Sequence, residues 1–179
     1  MEKFIALLRG INVGGKNKVS MAELKLLFED FGFQDVVTYI NSGNIIFSSD
    51  ENDEIKLKEL CKKLINTKFQ LDIPVIIISA QDLLEALDHA PLWWGQDKDS
   101  KHDAIFVMPS TTVEEVFQEV GAFKPEYEAV DYYGRVIFWS APIKTISRTR
   151  LLKVVGTSVY DKITIRNSNT VKKLTQLVI

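Results

Sequence analysis

The sequence predicts an α+β protein assembled from two βαββαβ halves with mainly antiparallel sheets. Short apolar runs, too brief for helices, alternate with amphipathic stretches at helical spacing. Two turn signals, Asn41-Ser42-Gly43-Asn44 and Tyr133-Gly134, each separate a pair of strand-like runs. The order strand, helix, hairpin, helix, strand occurs twice along the 179 residues.

The first half opens with Phe4 to Leu8, a continuous apolar run that reads as a central strand buried on both faces. Met21, Leu24, Leu27, Phe28 and Phe31 recur at helical spacing, with Ser20 and Glu23 as a capping box and Gly32 as the stop. Val36 to Ile40 and Ile45 to Phe47 form the arms of the first hairpin. Asp50 to Glu54 supply an acidic helix start, and Ile55, Leu57, Leu60, Cys61, Leu64 and Ile65 the apolar face behind it. Pro74 then introduces the strand Val75 to Ile78.

A short helix over Asp82 to Asp88 and a segment with Pro91, Trp93, Trp94 and Gly95 connect to the second half. There Ile105 to Met108 is a strand, and Val113, Val116, Phe117 and Val120 mark a helix capped by Thr111 and Glu114 and stopped at Gly121. Tyr127 to Tyr132 and Val136 to Trp139 make the second hairpin. Leu151, Leu152 and Val155 suggest a helix ending at Gly156, Ile163 to Arg166 a strand, and Val171, Leu174 and Val178 an extra C-terminal helix. Each half is thus expected to be a ferredoxin-like subdomain: residues 1–80, a helical connection over 81–102, and 103–179 with the closing helix. The halves share a folding pattern rather than residues, a structural pseudo-repeat.

Composition narrows the function classes. No apolar run approaches the ~20 residues of a membrane helix, and the N-terminus lacks signal-peptide character, so a soluble cytoplasmic protein is expected. One cysteine and two separated histidines, His89 and His102, exclude an internal disulfide and a conventional zinc site, and no metal or cofactor is implied. Cys61 shares a helical face with leucines and is expected to pack. The net charge is −2, but residues 144–179 hold eight Lys/Arg against Asp161 alone, +7, which leaves −9 for residues 1–143. The basic segment docks on acidic surface, is solvated, or forms an anion site.

Ferredoxin-like topology brings the turn after the first strand, the first hairpin and the entry to the fourth strand to one end of the sheet. In the first half that end collects Arg9-Gly10-Ile11-Asn12-Val13-Gly14-Gly15-Lys16-Asn17-Lys18 and Asn41-Ser42-Gly43-Asn44. Glycines, carboxamides and cations opposite a helix N-terminus suit an anion. The candidate ligand-binding residues are Arg9, Asn12, Gly14, Gly15, Lys16, Asn41, Ser42 and Asn44. Gly10 to Lys16 also fits seven positions of the phosphate-binding loop G-x-x-x-x-G-K-[ST], but Asn17 replaces the hydroxyl residue that would meet Mg²⁺ and the capped helix starts late, which argues against nucleotide hydrolysis. The competing reading is a structural loop pinned by asparagine hydrogen bonds. A second polar cluster, Thr164 to Val171, adds Arg166 and Asn167 as candidates, with Ser168 or Asn169 as the natural helix cap and Arg148 and Arg150 as further cations. There is no G-x-S-x-G elbow and no H-E-x-x-H, and neither histidine neighbours an evident nucleophile in the sequence.

The fragments Leu8 to Gly15, Met21 with Leu24, Thr38 to Asn44, and Thr164 to Asn167 with Thr170, Val171 and Leu174 resemble the domain-of-unknown-function family numbered 1697 nearly end to end. The resemblance implies a bacterial cytosolic protein with two ferredoxin-like subdomains and carries no activity. Three functions compete. The first is binding of a small phosphate- or carboxylate-bearing ligand at the first strand–helix loop, joined by Arg166 if the halves share a cleft. The second is a nucleic-acid module presenting Tyr39, Phe47, Tyr132 and Phe138, disfavoured by pI ≈ 5.8. The third is a protein-interaction domain using Trp93 and Trp94. Neither an enzymatic reaction nor an oligomeric state follows from the sequence.

Overall fold

The Phe4 to Leu8 run lies within strand β1 (Glu2–Leu8), and each of its five side chains is at most 1% exposed. The structure is a computed structural model describing residues 1–179. It divides into two compact units, Met1–Leu83 with Leu177–Ile179, and Leu84–Gln176.

In the first unit β1 is followed by α1 (Met21–Phe31), β2 (Gln34–Tyr39), β3 (Asn44–Ser49), α2 (Glu54–Phe69), β4 (Val75–Ser79) and the start of α3 (Ala80–Asp88). The sheet order is β2-β3-β1-β4, all neighbours antiparallel. This order follows when both strand–helix–strand crossovers are kept on one face. Alternation along the strands sends Phe4, Ala6, Leu8, Ile45, Phe47, Val75 and Ile77 into a core with Leu24 and Phe28 of α1 and Leu57, Cys61 and Ile65 of α2. Phe28 meets Phe47 edge-on at 5.5 Å between ring centroids. Each such buried ring contributes about 1.5–3 kcal/mol relative to exposure. Ser20 caps α1, its Oγ accepting the Glu23 N–H at 3.3 Å, and Gly32 ends it at φ 112°. Asp53 caps α2, accepting from the amides of Ile55 and Lys56. Ile55, assigned to the apolar face by spacing, is 52% exposed because it sits at that helix start. Cys61 is fully buried, and burial pushes its thiol up to about 12.

The second unit repeats the order as β6-β7-β5-β8, again antiparallel, from β5 (Ser100–Val107), α4 (Val113–Val120), β6 (Ala129–Tyr133), β7 (Val136–Pro142) and β8 (Ile163–Asn167), closed by α5 (Ser168–Val178). Ile105, Val107, Ile137, Trp139, Val113, Val116 and Val120 form its core.

Three sequence expectations shift here. The cap of α4 is Thr112 with Glu115, a reciprocal capping box one residue beyond Thr111 and Glu114; Thr111 is instead buried in the preceding turn. Strand β6 starts at Ala129 rather than Tyr127, since the amides of Tyr127 and Glu128 both turn back to the Lys124 carbonyl. The helix expected near Leu151 is a set of 3₁₀ turns, Ile143–Arg148, Leu151–Gly156 and Tyr160–Lys162, with Leu151 and Val154 inward and Leu152 and Val155 exposed. Glu128 anchors the start of the Leu151–Gly156 turn. Its buried carboxylate accepts the Arg150 and Leu151 amides at 2.7 and 3.3 Å, donors that a helix starting here leaves without an intrahelical acceptor, and also takes the Trp139 indole N–H and the Lys124 amide, both at 2.9 Å.

Candidate functional site

The three segments expected at one end of the first sheet meet there through backbone hydrogen bonds. The Leu8 amide donates to Gly43 O at 2.8 Å and the Arg9 amide to Pro74 O at 3.1 Å, joining β1 to the hairpin and to the entry of β4. Gly43 is required at this joint: it sits at φ 87°, and a Cβ there would lie 2.8 Å from Leu8 Cβ and 2.7 Å from Ile11 Cδ1. Asn44 is fully buried and closes the hairpin, its amide nitrogen donating to Tyr39 O at 2.9 Å and Ser42 Oγ at 3.0 Å.

The glycine loop folds as a small hairpin of its own. Val13 pairs with Lys16 across Gly14 and Gly15, at φ 56° and 76°, the two positive values of a type I′ turn. The Lys16 amide donates to Val13 O and the Asn12 amide to Asn17 O, at 3.0 and 3.1 Å. These donors are therefore spent within the loop rather than converging on a ligand, unlike those of a nucleotide phosphate loop. Asn12, at φ 55°, ties three segments together: Nδ2 donates to Val19 O and Asn41 O, and Oδ1 accepts the Val19 amide, all within 3.0 Å.

Against this frame lies an open groove of about 490 Å³, lined by Asn12, Gly15, Lys18, Val19, Ser20, Met21 and Asn41. It opens at the first turn of α1, where helical geometry leaves amides without intrahelical acceptors and places partial positive charge. Of the predicted residues, Asn12, Gly15 and Asn41 line the groove. Gly14 and Lys16 are exposed on the small hairpin, Arg9 and Ser42 are half-buried outside the groove's lining, and Asn44 is buried as the latch of the Asn41–Asn44 hairpin. Lys18 and Ser20 line the groove too; the sequence marks Ser20 as a helix cap, and a cap residue necessarily stands at a helix mouth.

Arg166 and Asn167 are engaged in their own unit. Arg166 is 7% exposed, donates from Nη1 to Thr164 Oγ1 and Ile165 O, both at 3.1 Å, and burial pulls its guanidinium down to about 10. Asn167 caps α5, its Oδ1 accepting the Thr170 amide at 2.8 Å, the role expected of Ser168 or Asn169. Other cations of the basic segment are also used internally. Arg150 Nε donates to Val120 O, Lys172 Nζ to Gly95 O at 3.1 Å, and Arg148 to the Tyr127 hydroxyl at 3.3 Å. Phe47 and Phe138, two of the four aromatics considered for base stacking, are core residues. Trp94 is buried within the second unit, donating to Asp103 O at 2.8 Å and packing edge-on against Phe138 at 5.1 Å.

The expectation that neither histidine has a nucleophile nearby needs correction. Antiparallel register sets His102 of β5 directly opposite Ser140 of β7, and His102 Nδ1 is hydrogen-bonded to Ser140 Oγ. The two are 38 residues apart, so no local motif could reveal the pair.

No curated protein matches the chain. It is similar to the conserved bacterial protein SP0830 from Streptococcus pneumoniae, with 31% identity over 99% of both chains and a TM-score of 0.87. Residues 1–138 match the family described as protein of unknown function, DUF1697. With more than half its length matched, the chain belongs to the DUF1697 family.

Proposed function

We propose that the protein binds a small anionic ligand, bearing a phosphate or a carboxylate, in the groove at the N-terminus of α1. The observation that carries this reading is the conjunction of a 490 Å³ groove at a helix mouth with Lys18 on its wall. Arg9 and Lys16 supply further positive charge nearby, and the first-turn amides ahead of Glu23, whose own amide is held by the Ser20 cap, supply donors. Gly15 lets the loop backbone border the groove without a side chain, while Asn12 and Asn41 hold the rim. Asn44, Arg166 and Asn167 are left to structural roles.

A thermal-shift titration with inorganic phosphate, citrate and a panel of phosphorylated metabolites tests this. A ligand specific for the native state stabilises it by RT ln(1 + [L]/Kd), about 2.7 kcal/mol at a hundredfold excess over Kd. At least one anion is expected to raise the melting temperature, and the double variant Lys16→Ala/Lys18→Ala to remove most of the shift. A flat panel, or shifts of equal size in the double variant, would refute the site.

A further inference from the structure

We infer that Ser140 is a nucleophilic serine, activated by His102 and positioned to accept an acyl group from a short-chain carboxylic ester. The inference stands apart from the anion groove: all its residues belong to the second unit. Ser140, His102 and Asp97 form a series in which the imidazole joins a hydroxyl to an aspartate. His102 Nδ1 is bonded to Ser140 Oγ, while Nε2 lies 2.9 Å from the Asp97 backbone oxygen and 3.5 Å from its carboxylate Oδ2.

Hydrogen-bond chemistry sets the proton positions. A backbone carbonyl oxygen can only accept, so in the neutral imidazole Nε2 carries the hydrogen. Nδ1 then holds the lone pair, and the serine hydroxyl must donate to it. That is the ground-state arrangement of a serine with its general base, and Asp97 supplies the group that orients the base. The pairing is rigid, because the two residues are directly opposed on neighbouring strands.

The series opens on a cavity of about 240 Å³ whose wall includes Trp93, Pro125, Tyr127 and Pro142 beside Ser140 and His102, together with the acidic residues Asp97, Glu126 and Glu128. The aromatic and proline surfaces suit a small apolar acyl group, and the carboxylates on the same wall favour a neutral ester over an anionic one. Ser140 and His102 are 8% and 7% exposed, which restricts access to slender reagents, whereas Asp97 reaches solvent with its side chain 56% exposed.

The step balances without a cofactor. Ser140 Oγ bonds to the ester carbonyl carbon as its proton passes to His102 Nδ1. The carbon–oxygen bond to the alcohol breaks, and Nδ1 returns the proton to the departing alkoxide. Water attacks the acyl-serine by the same route, giving its proton to Nδ1, and Oγ recovers a proton as the carboxylic acid leaves.

The test uses the whole 179-residue chain and p-nitrophenyl acetate, with the acetylated residue mapped by peptide mass spectrometry. Acetylation is expected at Ser140, and His102→Gln should slow it by about 100-fold or more, the contribution of a general base. Acetyl groups found only on lysines, or a Ser140 rate unchanged in His102→Gln, would overturn the assignment. Should His102→Gln unfold, the near-isosteric Ser140→Cys gives an independent answer. Its thiol at position 140 should react with iodoacetamide about tenfold or more faster in the native protein than in the urea-unfolded chain, since a neighbouring base raises the thiolate fraction. An equal or slower native reaction counts against activation by His102.

Discussion

Replacing Gly43 by alanine probes the joint on which the anion groove is built. Two costs are separable. The residue sits at φ 87°, a conformation that costs an L-residue about 1–2 kcal/mol. The new Cβ would also stand 2.8 Å from Leu8 Cβ, which β1 holds in place between β3 and β4, and 2.7 Å from the more mobile Ile11 Cδ1. Overpacking of this kind costs about 1–3 kcal/mol, so the total is about 2–5 kcal/mol. Gly14→Ala is the control: its φ is 56°, but nothing lies within 4 Å of an added Cβ, so only the conformational cost of about 1–2 kcal/mol applies. Urea unfolding followed by far-UV circular dichroism measures both. Tryptophan fluorescence would report elsewhere, because Trp93, Trp94 and Trp139 all lie in the second unit. Equal losses in the two variants, or a larger loss in Gly14→Ala, would show that the Leu8 Cβ contact does not constrain Gly43.

Tryptophan fluorescence is the right probe for Glu128→Gln. A carboxamide can accept on only one atom and turns an NH₂ toward the amides and indole that the carboxylate now satisfies, so a loss of about 2–4 kcal/mol is expected; a loss below about 0.5 kcal/mol would mean that Glu128 does not hold the 3₁₀ segment. Cys61 should be inert to Ellman's reagent in the native protein and reactive on unfolding, because it is wholly buried. Its folded-state pKa is raised from 9.0 to about 12, so its stabilising contribution is complete below pH 9 and is lost as pH rises toward 12. The stability advantage over Cys61→Ala should therefore shrink by up to about 1.4 kcal/mol per pH unit in that window, and a pH-independent difference would refute the assignment. Asn12→Ala removes three side-chain hydrogen bonds and a residue suited to positive φ; about 2–4 kcal/mol of stability should go, with weaker anion-induced shifts in the thermal assay. Full retention of both would place Asn12 outside the site's framework.

Local chemistry along the chain determined the elements and most of their ends. Phe4 to Leu8 could only be a buried strand, Ser20 and Gly32 bracket α1 because one side chain accepts an amide and the other residue tolerates φ 112°, and the order of elements implies both sheets. The meeting of the glycine loop with the Asn41 to Asn44 hairpin was legible for the same reason, since topology alone puts both turns at one end. What each polar residue does there was decided by tertiary structure. Asn44 reads in the sequence as a ligand contact and proves to be a buried latch, and Asn167 is spent on capping α5. The start of the Leu151–Gly156 turn is held by Glu128, more than twenty residues upstream of the amides that it captures. His102 meets Ser140 only because strand register brings them together across 38 positions. Periodicity and capping act within a few residues and can be read in order; hydrogen bonds between distant segments exist only once the chain has folded.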